Sequence, residues 1–235
     1  MTAYVIDAPP IHENSVNYFY AALGLYRLGY HVERYQLSEL SSKEVTEETP
    51  VFGGMESILA ILPNYVGLPY YPPEIERYMF REVELRDIRD VKDGEFFKPR
   101  EHEHKLFSPR IKDESFQCEL LLGSIPEETK VLTSPALSFV SEFRVYVHQG
   151  KVLNVCYYKG DPLVQPSLET IKTMVPEIGG YAAAFGLDVG VLEDGRTTLV
   201  ELNDFCCIGN YGLKAIDYAR CIADRWPEIW TRFSD

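Results

Sequence analysis

Nowhere does the chain hold an apolar run long enough to cross a bilayer, and its opening residues, MTAYVIDAPP, lack a basic segment followed by an apolar stretch. Neither a membrane span nor an export signal is therefore expected. Basic residues are scarce: 23 Lys and Arg against 36 Asp and Glu leave a net charge of −13. That balance excludes a general binder of nucleic-acid backbone, although a local basic cleft can exist within it. The cysteines, at 118, 156, 206, 207 and 221, are odd in number and lack paired metal-knuckle spacing, so they are expected as structural thiols of a reducing, cytoplasmic compartment. Internal repeats and low-complexity tracts are missing. So is any Ser-His-Asp or Cys-His constellation; His31 and His148 fall in strand-like segments and are expected to be structural. What is present is ordinary globular material, 235 residues with 46% apolar and 25% charged side chains, enough for a sizeable core.

The first segment reads as a strand over residues 3–6, a helix from Ser15 to Leu28 ending at Gly29, and a second strand over residues 31–35. This β-α-β order predicts a small parallel sheet. Residues 38–49 are polar and expected to be solvated. A short strand, PVFGG, and a short helix, MESILAIL, follow. GLPYYPPE, with three prolines in eight residues, is the best candidate for a lobe boundary. Hairpins are expected to dominate from there to about residue 204, and a closing helix over 213–225 to stop before Pro227.

GLDVGVLEDGRTTLVELND predicts a hairpin turning at Asp194-Gly195, a strong two-residue signal. Its register sets Asp188 opposite Glu201, with Asn203 two residues on and on the same face. Leu187, Val189, Val191, Val200 and Leu202 would form the opposite, core face. Three oxygen ligands at one end of a hairpin suit a hard cation such as Mg²⁺, which takes few protein carboxylates and leaves other positions to water and phosphate. In SEFRVYVHQGKVLNVCYYKG the turn is expected at Gln149-Gly150. Glu142, Arg144, Tyr157 and Lys159 would then share one face, and Phe143, Val145 and Val147 the other. The quartet reads either as a solvated outer face with a cross-strand ion pair or as a functional cluster. In GEFFKPREHEHKLFSPR an apolar strand ends at Lys98 and leads into a loop carrying Lys105. A buried lysine is costly unless it meets an anion; the alternative is an exposed edge lysine. His102 and His104 beside Glu101 and Glu103 make a weaker candidate metal tract than a phosphate-covering loop.

Taken in order, FFKPR, VLTSPALS, EFRVYV, LDVGV and LVELND resemble the ATP-grasp superfamily over about residues 80–210. The chain looks like a compact, divergent carboxylate–amine ligase-type member with a shortened first lobe. The resemblance implies an α/β (α+β) fold of two lobes gripping ATP: a small N-terminal β-α-β lobe on the substrate side (1–75) and an ATP-grasp domain (76–235), itself a Lys-bearing subdomain (76–133) and a metal-bearing one (134–235). It implies that Lys98 touches the nucleotide, with Lys105 a second phosphate or lid contact. Ser134, Ala136 and Leu137 would read adenine through their backbone, Pro135 having no N–H to give. Glu142 would meet ribose, Lys159 would fill another place in the nucleotide pocket, and Arg144 would stabilise the γ-phosphate and an acylphosphate. Asp188, Glu201 and Asn203 match the Mg²⁺ set, with two ions expected. The implied activity is ligation of a small-molecule or peptide carboxylate to an amine with release of ADP and phosphate, without nucleic-acid or membrane partners; a homodimer is allowed. A catalytically silent nucleotide-binding adaptor is the alternative. Candidates for the acceptor site are Asp7, His12, Gly53, Gly54, Met55 and the loop CCIGNYG, 206–212. Arg81 and Arg86 are expected on the surface.

Overall fold

The computed structural model describes residues 1–7, 15–100 and 107–234. Its contacts divide the chain into two units, residues 1–78 with 139–235, and residues 79–138.

The first unit opens with β1 (Thr2–Ile6), α1 (Ser15–Arg27) and β2 (His31–Tyr35), followed by β3 (Val51–Phe52) and α2 (Met55–Ile61). The three strands form a parallel sheet in the order β2-β1-β3, as the β-α-β reading expects. Gly29, at φ +92°, closes α1 in the left-handed region that favours glycine. The polar stretch after β2 is not wholly solvated: Leu40 is buried beside Tyr35 and Trp226 in one apolar cluster.

The same unit holds an antiparallel sheet in the order β11-β10-β8-β9. Its strands are β8 (Phe139–His148), β9 (Lys151–Gly160), β10 (Ala184–Leu192) and β11 (Thr197–Asp204), with α4 (Leu168–Ile178) between β9 and β10. Gln149 and Gly150 both have positive φ, +48° and +70°, the backbone required of a two-residue primed turn whose twist matches the strands it joins. The closing helix, α5 (Ala215–Phe233), does not stop before Pro227 but runs through it. Pro227 has no N–H to bond the preceding turn; burial of Trp226 and Ile229 on the apolar face of α5 offsets that loss. Gly24 lets α1 lie close against α5, since a Cβ there would strike the Ala215 carbonyl and the Ala219 side chain.

The second unit is built on β4 (Glu84–Asp87), β5 (Glu95–Pro99), β6 (Arg110–Ile111) and β7 (Lys130–Pro135), with α3 (Phe116–Ser124) beside them. Its sheet runs β4-β7-β5-β6, and Phe97, Phe107, Cys118 and Val131 lie at its core. The sequence reading missed α3 and α4. Ser115 and Ser167 cap them by accepting hydrogen bonds from the Cys118 and Thr170 amides, a start signal present in the sequence.

Register departs from the simple hairpin pattern at three residues. Asp188 pairs with Glu201 as expected, but Val189 pairs with Leu199, so Val200 is an extra residue in β11. Phe143 pairs with Tyr157 and Glu142 with Lys159, making Tyr158 extra in β9; Leu153 is extra between the pairs Tyr146–Asn154 and Val147–Val152. Each bulge transfers the downstream side chains to the other face. Leu199 therefore lies fully in the core while Val200, expected there, is only half-buried. Tyr157 leaves the predicted charged face and packs edge-on against Phe143 at 5.7 Å. The bulges also break the regularity of β9, the sheet's outer strand, in the way natural edge strands resist pairing with other chains.

Leu199→Ala should cost about 2–5 kcal/mol and Val200→Thr less than about 1 kcal/mol, both by urea denaturation. The reverse ranking would mean an unbulged hairpin.

Candidate functional site

Four strands bring the first site together. Arg144 on β8 lies directly opposite Asp188 on β10, and Asp188 opposite Glu201 on β11. Strand alternation puts Glu142 and Asn203 on that same face. Gly186 and Gly190 flank Asp188 along β10, where a Cβ would collide with Ile208 or Phe139, so the carboxylate stands between two positions without side chains.

Arg144 is 7% and Asp188 3% exposed. At Glu142 and Arg144 this face is buried, while Lys159, which makes the cross-strand ion pair with Glu142, stays largely exposed. Arg144 Nε and Nη2 each donate to one Asp188 oxygen at 2.7 Å, a two-pronged pairing that the planar guanidinium favours. Its remaining nitrogen, Nη1, points to the Gly209 carbonyl at 3.5 Å, and its guanidinium lies 4.9 Å from the centre of the Tyr211 ring. The Asn203 amide donates to Asp188 and to Glu201, both at 3.2 Å. All three predicted metal ligands thus meet within hydrogen-bonding distance.

Burial pushes the Asp188 carboxyl above its ordinary value; the Arg144 charge pulls against this, while the Glu201 and Glu142 carboxylates push with it. For Arg144, burial acts to lower the pKa, but the bonds and charge of Asp188 outweigh it and hold the guanidinium above its usual value. The donor set itself is hard: two carboxylates and a carboxamide, the chemistry that suits Mg²⁺. Asp188 keeps acceptor capacity beyond the two arginine bonds, since an ionised carboxylate has about four lone-pair directions. Among the described residues no group of three or more His, Cys, Asp or Glu side chains could hold a metal by itself, so phosphate or water oxygens would complete the shell. The donor types suit the ion, which would need the Asn203 carboxamide to present its oxygen in place of the nitrogen that now faces both carboxylates.

Glu142 is buried, paired with Lys159 at 2.7 Å, and accepts the Tyr158 hydroxyl at 3.0 Å. Tyr158 also stacks on Tyr211 at 5.1 Å between ring centres. Burial raises its hydroxyl pKa, and the Asp188 and Glu142 carboxylates raise it further. Sequence reasoning placed Tyr157 here; the bulge puts Tyr158 here instead. Two adjacent tyrosines in CYYKG were the available signal, and only the bulge decides between them.

The loop after β11 reaches this cluster. Tyr146 donates its hydroxyl to the Gly209 carbonyl at 2.7 Å and accepts the Tyr211 amide at 2.8 Å; the Asn210 amide donates to Asn17 at 2.8 Å. Other acceptor candidates have different places: the Asp7 carboxylate receives the Gln36 amide at 3.3 Å, Gly54 is the N-cap of α2 and Met55 its first residue. All five cysteines are free; Cys206 and Cys207 touch at 3.7 Å, and the Tyr65 hydroxyl lies 3.2 Å from the Cys206 sulfur.

In the second unit, Lys98 is 2% exposed on β5, a strand paired on both sides by β7 and β6. It is not an exposed edge lysine. Ser134 is buried at the end of β7, its hydroxyl donating to the Pro135 carbonyl at 3.1 Å, while Ala136 is exposed and Leu137 half-buried. Arg86 bonds Glu84 and Glu95. Lys105, His102, His104 and His12 lie outside the described residues.

A family model of the ATP-grasp domain, the second family of its clade, matches residues 78–221, more than half of the chain; the chain belongs to the ATP-grasp superfamily. Solved structures agree on the fold. D-alanine–D-alanine ligase from Bacillus anthracis, complexed with ATP, is 11% identical with a TM-score of 0.57, covering 99% of this chain and 96% of that one. The D-cycloserine synthetase DcsG is 10% identical with a TM-score of 0.58, covering 96% and 100%. The ATP-grasp ligase PsnB, complexed with a minimal precursor, is 13% identical with a TM-score of 0.50, covering 95% and 100%. No curated protein matches the sequence.

Arg144→Met should destabilise by about 3–5 kcal/mol because it leaves Asp188 buried and unpaired. Adding Asp188→Asn should recover part of that loss in a double-mutant cycle; strict additivity would show that the two side chains do not interact.

Proposed function

We propose that this protein is an ATP- and Mg²⁺-dependent ligase that activates a carboxylate as an acylphosphate and joins it to an amine. The observation that carries this reading is the buried Arg144–Asp188 pair, with Glu201 and Asn203 converging on it from the next strand. The substrate carboxylate attacks the γ-phosphorus of ATP and ADP leaves; the amine then attacks the acyl carbon, phosphate leaves, and an amide remains. Neither step demands a strong protein base, in keeping with the lack of a hydrolase-type triad.

Arg144 supplies fixed positive charge where the phosphoryl oxygens become most negative. Asp188, Glu201 and Asn203 would hold Mg²⁺, which would supply charge neutralisation to the phosphates; the reading takes two ions. Lys98 is assigned to the nucleotide's phosphates as the lysine at the end of its strand, the place that FFKPR shares with the family. Ser134, Ala136 and Leu137 are assigned to adenine, Glu142 to ribose, Lys159 to another place in the nucleotide pocket, and Lys105 to a second phosphate or lid contact. The loop 206–212, with Tyr211 half-exposed over Arg144, is assigned to the acceptor substrate. PsnB, solved with a precursor peptide, makes peptides reasonable candidates beside free amino acids. Five free cysteines support a reducing, cytoplasmic setting. Among the described residues no helix is long and apolar enough to cross a membrane.

The decisive assay is release of ADP and phosphate from Mg²⁺-ATP across a panel of amino acids and small peptides. Release that depends on both a carboxylate and an amine is expected, and Glu201→Gln should reduce it about a hundredfold or more with little change in melting temperature. ATP binding without any release would indicate the silent adaptor, and failure to bind ATP would sink the ligase reading. Glu201→Gln is a cleaner probe than Asp188→Asn, which would leave Arg144 buried without its counter-charge.

A further inference from the structure

A second buried ion pair lies at the end of the same sheet. Arg225 of α5 donates through Nε and Nη2 to the two oxygens of Asp204 at 2.8 and 2.6 Å, and both side chains are almost wholly buried. Asp204 is the last residue of β11, adjacent to Asn203. The remaining Arg225 nitrogen, Nη1, donates to Glu228 at 2.9 Å. Glu228 in turn accepts the Ala183 amide, at 2.9 Å to its nearer oxygen, immediately before β10. Asp224, one residue before Arg225, pairs with His148 at the end of β8 at 2.7 Å.

These contacts fall at one edge of the sheet, for Ala184 is registered with His148 and Phe185 with Asp204. One turn of α5 therefore holds the matching ends of three neighbouring strands. Arg144 and Asp188 stand four residues inside two of those ends, and Asn203 one residue inside the third. The bulge at Val200 disrupts the ladder locally and bends β11 on the turn side of Glu201, while the Arg225 contact holds the strand at its other end, beyond Asn203.

We propose that Arg225 and Glu228 are positioning residues for the metal-holding strands: they fix the end of β11 against β10 so that Glu201 and Asn203 meet Asp188. The inference rests on the ligase reading, since it takes these three residues as the metal set. Asp204, though it neighbours Asn203 in the sequence, serves the clamp and not the ion. Groups that orient metal ligands without touching the metal typically change affinity by about 10–100-fold when removed, and Lys cannot reproduce the fork of Arg.

The test is Mn²⁺ titration of the whole chain with a non-hydrolysable ATP analogue, read by electron paramagnetic resonance of the free ion, alongside thermal melting. Arg225→Lys should weaken Mn²⁺ binding about tenfold at a temperature where it is fully folded. Glu228→Gln, at a half-exposed position that threatens the fold less, should weaken it by a smaller factor and keeps the question open to refutation if Arg225→Lys does not fold. Leu25→Ala, a core truncation on α1 chosen for a comparable loss of melting temperature, should bind Mn²⁺ as the unaltered protein does. Normal binding by both clamp variants would overturn the proposal, and so would equal weakening in Leu25→Ala. Failure of the unaltered chain to bind Mn²⁺ would instead overturn the ligase reading itself.

Discussion

Arg144 and Asp188 are buried side by side on the two central strands of an antiparallel sheet, and neither could be there alone. Taking either charge out of water costs several kcal/mol, and what offsets the cost is full satisfaction: two bonds at 2.7 Å between them, a carbonyl and an aromatic ring on the guanidinium, and an amide on the carboxylate. Those partners come from two further pieces of chain, β11 and the loop that follows it. The loop after β11 must therefore fold back over β8, Tyr146 must hold it there, and β11 must bring Asn203 to the correct height. A pair this demanding is weak evidence for stability and better evidence for a retained chemical role.

Much of this was legible in the sequence because turns and alternation are local. Asp194-Gly195 and Gln149-Gly150 announce hairpins through residues that tolerate positive φ, and counting back from each turn put Asp188 across from Glu201. The parallel β-α-β start was legible for the same reason, and so was the burial of Phe143, Val145 and Val147. What could not be read is any step where the count changes. A bulge adds one residue for reasons of tertiary packing, and nothing in LVEL or CYYKG says which residue is extra. Val200 and Tyr157 were misplaced on that account alone. The length of α5 was misjudged because a proline's local cost was weighed without the apolar face that Trp226 and Ile229 continue beyond it. The ring of partners about Arg144 was illegible too, since Gly209 and Tyr211 lie more than sixty residues away along the chain.

The two bulges nearest the site share a consequence. On β11 the extra residue at Val200 keeps Glu201 and Asn203 on the same face as Asp188, while Leu199 remains in the core. On β9 the extra residue turns Tyr158 towards Glu142 and Tyr211, and sends Tyr157 to Phe143. On an unbroken strand Val200 would have taken the core position that Leu199 holds, and Tyr157 would have faced Glu142. The irregularity changes which residue fills each place and leaves the polar and apolar faces of the sheet as they were.

A net charge of −13 looks ill-suited to a family whose ligand is a polyanion, and position resolves the difficulty. Acidic side chains such as Glu47, Glu48, Glu127, Glu128 and Glu193 are exposed, and water and salt screen exposed charges beyond about 10 Å. Arg144 and Lys98 are buried, where a smaller effective dielectric makes each charge count several times more than it does at the surface. The count of charges argues only against broad, sequence-independent attraction to nucleic acid. It is silent on a few cations held rigidly in low dielectric, and those are what a phosphoryl group losing its leaving group requires.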